Sequence, residues 1–186
     1  YVPPNATALL LGTFPPPKER RKPDFYYPDG RNGFWKMLVG LAGREWNGGW
    51  DYSTKESREN LLIGFHLAVA DVGLRVFRHS NSSLDGNLFP IEFNDIFSIL
   101  ENHPNIQKIL LTSSSSGNSS LSWFKLYCAL NGHKIKIGEK QFDIEVNEKK
   151  ISVIIIGSTS SSFPKALETN RPHYTKHLFY EEDIDT

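Results

Sequence analysis

The run Ile151-Ser-Val-Ile-Ile-Ile156, closed by Gly157, constrains the fold of this chain more than any other segment. It is β-branched and almost free of polar interruption. A strand of that kind belongs where both faces of a sheet are covered, as in a parallel sheet held between helices. Three further apolar runs have strand character: Ala8–Leu11, Leu74–Phe77 and Ile109–Thr112, the last preceded by Ile106. Helical spacing fills the intervals. Phe34, Leu38 and Leu41 share one helical face, and Ser-Thr-Lys-Glu at Ser53–Glu56 is a capping-box pattern ahead of Leu61, Leu62, Phe65 and Val69. Asn94 can cap a helix bearing Ile96, Phe97 and Leu100, and a helix over Leu121–Leu130 should stop at Asn131-Gly132. From His133 to Lys150, apolar and polar residues alternate with turns at Gly138 and Asn147, which predicts a small antiparallel excursion before the final strand. The expected architecture is a single α/β domain over residues 1–186, a three-layer sandwich. Its four-stranded, mainly parallel sheet should hold all four apolar runs.

In such sheets, ligands bind beyond the carboxyl ends of the strands. The loop behind the first strand is unusual: about twenty residues separate Gly12 from the helical pattern that opens at Asn32, and long irregular loops in compact domains tend to be functional or disordered. Gly12 permits a sharp turn off the sheet, and Pro15-Pro16-Pro17 stiffens the next part of the loop. Phe25-Tyr26-Tyr27 then places three aromatics just ahead of Asn32. From the residues alone, the rings can be core packing and Asn32 a helix cap, or both can belong to a binding site. A second polar loop, Gly157–Lys165, comes after the last strand. The serine-rich run Ser113–Ser120 is expected to be a flexible loop that caps the next helix.

Composition narrows the classes of function. A chain of 186 residues with 39% hydrophobic and 12% aromatic content suits one domain with a sizeable core. The formal net charge of +0 does not by itself announce nucleic acid, although a neutral protein can carry a local basic face. Basic groups cluster at Lys18–Lys22, Arg75–His79 and Arg171–His177. The single cysteine, Cys128, excludes a disulfide framework and a four-thiolate metal or cluster site within the chain. His173 and His177 have helical i, i+4 spacing but no third ligand in view, so no metal is expected. No G-x-S-x-G pentapeptide exists, which sets aside a serine nucleophile elbow. No segment has the length of a membrane span and no signal-peptide pattern opens the chain, so an intracellular protein is expected, with a short N-terminal piece missing before Tyr1.

The order of residues in the two loops resembles the uracil-DNA glycosylase superfamily, nearest its hypoxanthine-DNA and mismatch-specific branches. Members look like GTxPS, a loop, then YYAHPxNxFW; here the chain reads Gly12-Thr13-Phe14-Pro15 and Tyr26-Tyr27-Pro28-Asp29-Gly30-Arg31-Asn32-Gly33-Phe34-Trp35. The branch's second motif, STSPAN, is matched by Ser158-Thr159-Ser160-Ser161-Ser162-Phe163. Ser82–Asn87 and Phe93–Asp95 are similar to GSLDxxI and NDF. The resemblance implies a parallel sheet sandwiched by helices, with a DNA groove at the strands' carboxyl ends. It also implies a monofunctional, cofactor-free and monomeric enzyme. Such an enzyme acts in the cytoplasm at the nucleoid and hydrolyses the N-glycosidic bond of a deaminated or mismatched base (uracil or hypoxanthine class) flipped from DNA.

By the same resemblance, Asn32 would hold the attacking water and Tyr27 would stack on the base. Backbone groups of Gly12, Thr13, Phe14 and Pro15 would line the base. Ser158, Thr159, Ser160 and Ser161 would hold the flanking phosphate or the base's far side, and Lys18, Arg20, Arg21 and Lys22 would grip the DNA backbone. Two departures stand out. Asp29-Gly30 replaces His-Pro, and the second motif lacks its Pro-Ala-Asn tail and any histidine donor. The alternative is a protein that keeps the fold but binds a nucleobase or nucleic acid without catalysis.

Overall fold

Strand β1 (Ala8–Gly12) is buried at every residue and lies between β2 (Leu67–Asp71) and β5 (Lys108–Leu111), both parallel to it. Beyond β5 comes β7 (Lys149–Ile155), also parallel, and then the antiparallel edge strand β6 (Gln141–Val146). The sheet order is therefore β2-β1-β5-β7-β6. A separate antiparallel ribbon pairs β3 (Gly73–Arg78) with β4 (Leu88–Phe93). The computed structural model describes residues 1–28, 32–42, 52–80, 84–133, 135, 141–160 and 165–178.

Alternate residues of the buried strands feed two cores. Leu9, Leu11, Ile109, Leu111, Ile151 and Val153 pack against α3 (Ile96–Asn102) and α4 (Ser120–Leu130). Leu10, Leu67, Val69, Leu110 and Ile154 face the other way, onto α1 (Phe34–Ala42), α2 (Lys55–Gly64) and α5 (Ala166–Leu178). Strands whose two faces are both covered must be apolar throughout, which is why β1 and β7 read as continuous runs. The result is the expected α/β three-layer sandwich, with four parallel strands and the antiparallel excursion joined to the edge of the sheet as β6. The Gly138 turn lies outside the described residues. Among these residues no helix is long and apolar enough to cross a membrane.

Two sequence expectations require correction. Leu74–Phe77 is a strand but not a member of the main sheet; it belongs to the ribbon, with Leu74 and Phe77 exposed. The fourth parallel strand is instead Leu67–Asp71, whose Val69 fits helical spacing behind Phe65. The helix stops at Gly64 because His66 takes a left-handed turn, φ 51°, and sends Leu67-Ala-Val-Ala into the sheet. A four-residue interval cannot distinguish a helix that continues from one that ends just before a strand.

The caps also shift slightly. Thr54 with Ser57, rather than Ser53 with Glu56, makes the capping box of α2, and Asp95 rather than Asn94 caps α3. Asn94 donates its amide to the carbonyls of Asp71 and Gly73, fixing the corner where β2 passes into β3. Helix α4 runs to Leu130 as expected, with Gly132 in the left-handed region at φ 81°. His173 and His177 lie in helix α5, which also contains Pro172.

The chain leaves β1 toward one layer of helices and β5 toward the other. Their carboxyl ends therefore diverge, and the crevice between them is where open α/β sheets place ligands.

Candidate active site

Because β1, β5 and β7 run parallel, the loops after Gly12, Leu111 and Ile155 emerge at one end of the sheet. Both glycines that open the two motif loops sit tight against a neighbouring side chain. A Cβ on Gly12 would collide with Asp71 Oδ1, and one on Gly157, at φ 86°, would lie 2.5 Å from the Asn170 side chain. A larger residue at Gly12 would displace the Asp71 carboxyl, and one at Gly157 would displace the Asn170 amide and strain the left-handed backbone as well.

The first loop is pinned along its length. The Thr13 hydroxyl donates to Asp85 Oδ2 at 2.7 Å, and its carbonyl accepts from Gly73 N–H. Phe14 packs against the core with the Arg78 guanidinium 5.7 Å from its ring centre, and Arg78 also donates to the Pro15 carbonyl. Tyr27 sits at φ 48°, an unfavourable conformation for a bulky residue. It is held there because Trp35 Nε1 donates to the carbonyls of Tyr26 and Tyr27, and Arg58 donates to Tyr26. Its ring centre lies 4.5 Å from that of Phe34. Tyr27 therefore walls the crevice, and burial raises its phenol well above the ordinary range.

Asn32 joins the two loops. Its Oδ1 accepts from Phe34 N–H at 2.9 Å, capping α1, and from the Thr159 hydroxyl at 2.9 Å. The Thr159 carbonyl accepts in turn from Gly33 N–H. Ser158 is held by Asn170, which donates to its carbonyl, and its own hydroxyl accepts from Ser160 N–H. Tyr174 donates to the Gly157 carbonyl, so α5 fixes the loop from behind. Ser161, like Asp29 and Gly30, lies outside the described residues. The serine-rich run also reaches the site. Ser113 and Ser120 exchange backbone-to-hydroxyl hydrogen bonds, Ser119 caps α4, and Ser113 Oγ is 3.5 Å from Thr13 Oγ1. The expected cap is present, and the run is tied down by its own hydroxyls.

Two carboxyls in the crevice were not among the sequence candidates. Asp71 ends β2 in register with Gly12, and its carboxyl lies against the Gly12 backbone. Burial, reinforced by nearby Asp85 and opposed by Arg21, pushes Asp71 up to about 7. Burial also raises Asp85, against the Thr13 hydrogen bond and Arg78. Near neutrality a large share of Asp71 is therefore a carboxylic acid able to donate a hydrogen bond, a form that an ordinary aspartate hardly populates there.

The basic residues of the first loop differ in role. Lys18, Arg20 and Lys22 are exposed. Arg21 is half-buried, donates from Nε to the Pro16 carbonyl, and forms a 3.9 Å ion pair with Asp24, so it braces the loop. If the exposed Lys18 and Lys22 grip DNA phosphates, neutralising both flattens the log–log salt dependence of DNA affinity by about two units in anisotropy titrations. An unchanged slope assigns them to plain surface. Among the described residues no group of three His, Cys, Asp or Glu side chains could hold a metal.

No known family's profile matches the chain, and no curated protein does. Among solved structures, it is similar to the solution NMR structure of a protein from Methanosarcina acetivorans provisionally designated a uracil DNA glycosylase. The two agree with a TM-score of 0.62 over 95% of this chain and 93% of the other, at 18% identity. The fold is thus of the uracil-DNA glycosylase type.

Proposed function

We propose that this chain is a monofunctional DNA glycosylase of the uracil-DNA glycosylase superfamily, nearest its hypoxanthine-DNA and mismatch-specific branches. It hydrolyses the N-glycosidic bond of a deaminated or mismatched base flipped from DNA. The observation that carries this reading is the Asn32–Thr159 hydrogen bond, which joins the loop behind the first strand to the loop behind the last across the crevice of a glycosylase-type fold.

The bond breaks with cationic character on the sugar and negative charge on the departing base, so the enzyme must supply an acceptor for water on one side and donors on the other. Both lone pairs of Asn32 Oδ1 are engaged. Thr159, its proton directed to Asn32, presents its own lone pairs as the acceptor that orients water toward C1′. The water's oxygen forms the new bond, its proton passes to solvent, and the base leaves with the electron pair. Asp71, as the neutral acid, donates to a base carbonyl and stabilises the charge that develops there. Tyr27 packs on the base's π-face. The backbone from Gly12 to Pro15 lines its edge, and Ser158, Ser160 and Ser161 hold the flanking phosphate. Such an enzyme works as a monomer on DNA at the nucleoid, in the cytoplasm.

One observation favours non-catalytic binding of a nucleobase instead: the Asn32 oxygen is already saturated, which suits a rigid pocket. The two readings separate on incubation with oligonucleotides carrying uracil, hypoxanthine, xanthine or a G·T mismatch. The enzyme leaves alkali-cleavable abasic sites in at least one; intact strands throughout identify a binder.

A further inference from the structure

The ribbon of β3 and β4 carries an outward apolar face that no other described element covers. Phe77 and Phe89 are cross-strand partners with ring centres 6.2 Å apart, exposed to 59% and 53%. Ile91, two residues on from Phe89, is also 59% exposed. The opposite face turns inward, with Leu88 buried and Val76 packed on the core. Contiguous exposed aromatics of this kind mark binding surfaces.

The surroundings indicate what binds. Arg75, Arg78 and His79 lie on β3 or just past its end, opposed on β4 by Glu92, whose 3.3 Å pair with Arg75 is exposed and readily screened. The ribbon, which follows β2, is also tied to the loop behind β1: Gly73 N–H donates to the Thr13 carbonyl, and Arg78 Nη2 to that of Pro15 at 2.7 Å. The exposed Lys18 and Arg20 stand further along the same loop. A duplex keeps its base faces inside the stack, whereas unpaired bases offer every π-face to a ring and their phosphates to flanking arginines. A second copy of the chain would set these basic groups against themselves.

We propose that Phe77 and Phe89 form a stacking platform for unpaired bases next to the flipped nucleotide, so that the favoured ligand is single-stranded or locally opened DNA. This rests on DNA being the ligand of the site, but not on base release. The probe is a labelled oligothymidylate of about a dozen nucleotides, which holds no excisable base, and its duplex with oligoadenylate. Wild-type protein should bind the single strand more tightly than the duplex. Phe77→Ala and Phe89→Ala should each weaken the single strand by about five- to a hundredfold and leave the duplex unchanged, while Phe77→Tyr and Phe89→Tyr restore it. Wild type that ignores the single strand, or a double alanine variant that binds it equally well, overturns the proposal. A dimer that Phe77→Ala dissociates while DNA affinity stays fixed assigns the face to a second copy and overturns it as well.

Discussion

Asn32→Ala is expected to slow base release by about a hundred- to a thousandfold, with DNA affinity kept within a few-fold. The alanine removes the acceptor that both caps α1 and holds the Thr159 hydroxyl. Losing the cap should lower stability by about 1 kcal/mol. A cap alone predicts that modest loss with an unchanged rate per folded molecule, so single-turnover rates at a temperature where both proteins are folded separate the roles. Asn32→Ser sharpens the contrast. Serine can cap the helix, but its shorter side chain does not reach Thr159 in the same geometry. Equal rates for serine variant and wild type would leave Asn32 as a cap only, with the chemistry elsewhere.

Asp71 should show the second large effect, about a hundredfold lost in Asp71→Ala, because the departing base loses its donor. The pH dependence identifies the active form. The native carboxyl titrates near 7, well above its ordinary 3.8, so between those values the folded protein binds more protons than the unfolded chain. Stability from this group is therefore complete below about pH 4 and lost as pH rises through about 7. The loss is on the order of 1–3 kcal/mol, discounted because Asp71 is not wholly enclosed. Base release should decline as pH rises through about 7 and beyond, at the top of that window, because the folded donor then ionises and its charge opposes that of the leaving base. Asp71→Asn keeps a donor and cannot ionise. It should flatten both profiles and be more stable than wild type at pH 8. A variant whose rate falls with pH as wild type does would place the titration on another group, with Asp85 first in line.

How legible these features were in the sequence depends on their physics. β1 and β7 could be recognised because strands covered on both faces must be apolar without a break. β2 was masked by its neighbours: Leu61 and Leu62 are helical, Phe65 caps the helix, Val69 extends their spacing, and only the left-handed turn at His66 ends the pattern. Leu74–Phe77 satisfied the composition of a strand, yet its exposed Leu74 and Phe77 belong to a one-sided ribbon. Asn32, Tyr27 and Thr159 could be named because each stands in a local order of residues. Asp71 could not, because its position over Gly12 exists only once β2 is in register with β1. The Asn32–Thr159 bond was likewise out of reach, since it joins residues 127 positions apart. One signal for Asp71 was present, a lone carboxylate ending the run Leu67-Ala-Val-Ala.

The central claim is that this crevice breaks a glycosidic bond and does not merely hold a base. Single-turnover release of free base measures that directly, with protein in excess over an oligonucleotide bearing one uracil or hypoxanthine and the liberated base weighed by mass spectrometry. A glycosylase releases base well above the spontaneous rate, in an amount equal to the abasic strand formed, and the release disappears in Asn32→Ala. Tight binding of the same oligonucleotide with no free base at any time would contradict the enzyme and leave a nucleobase-binding protein on a glycosylase fold.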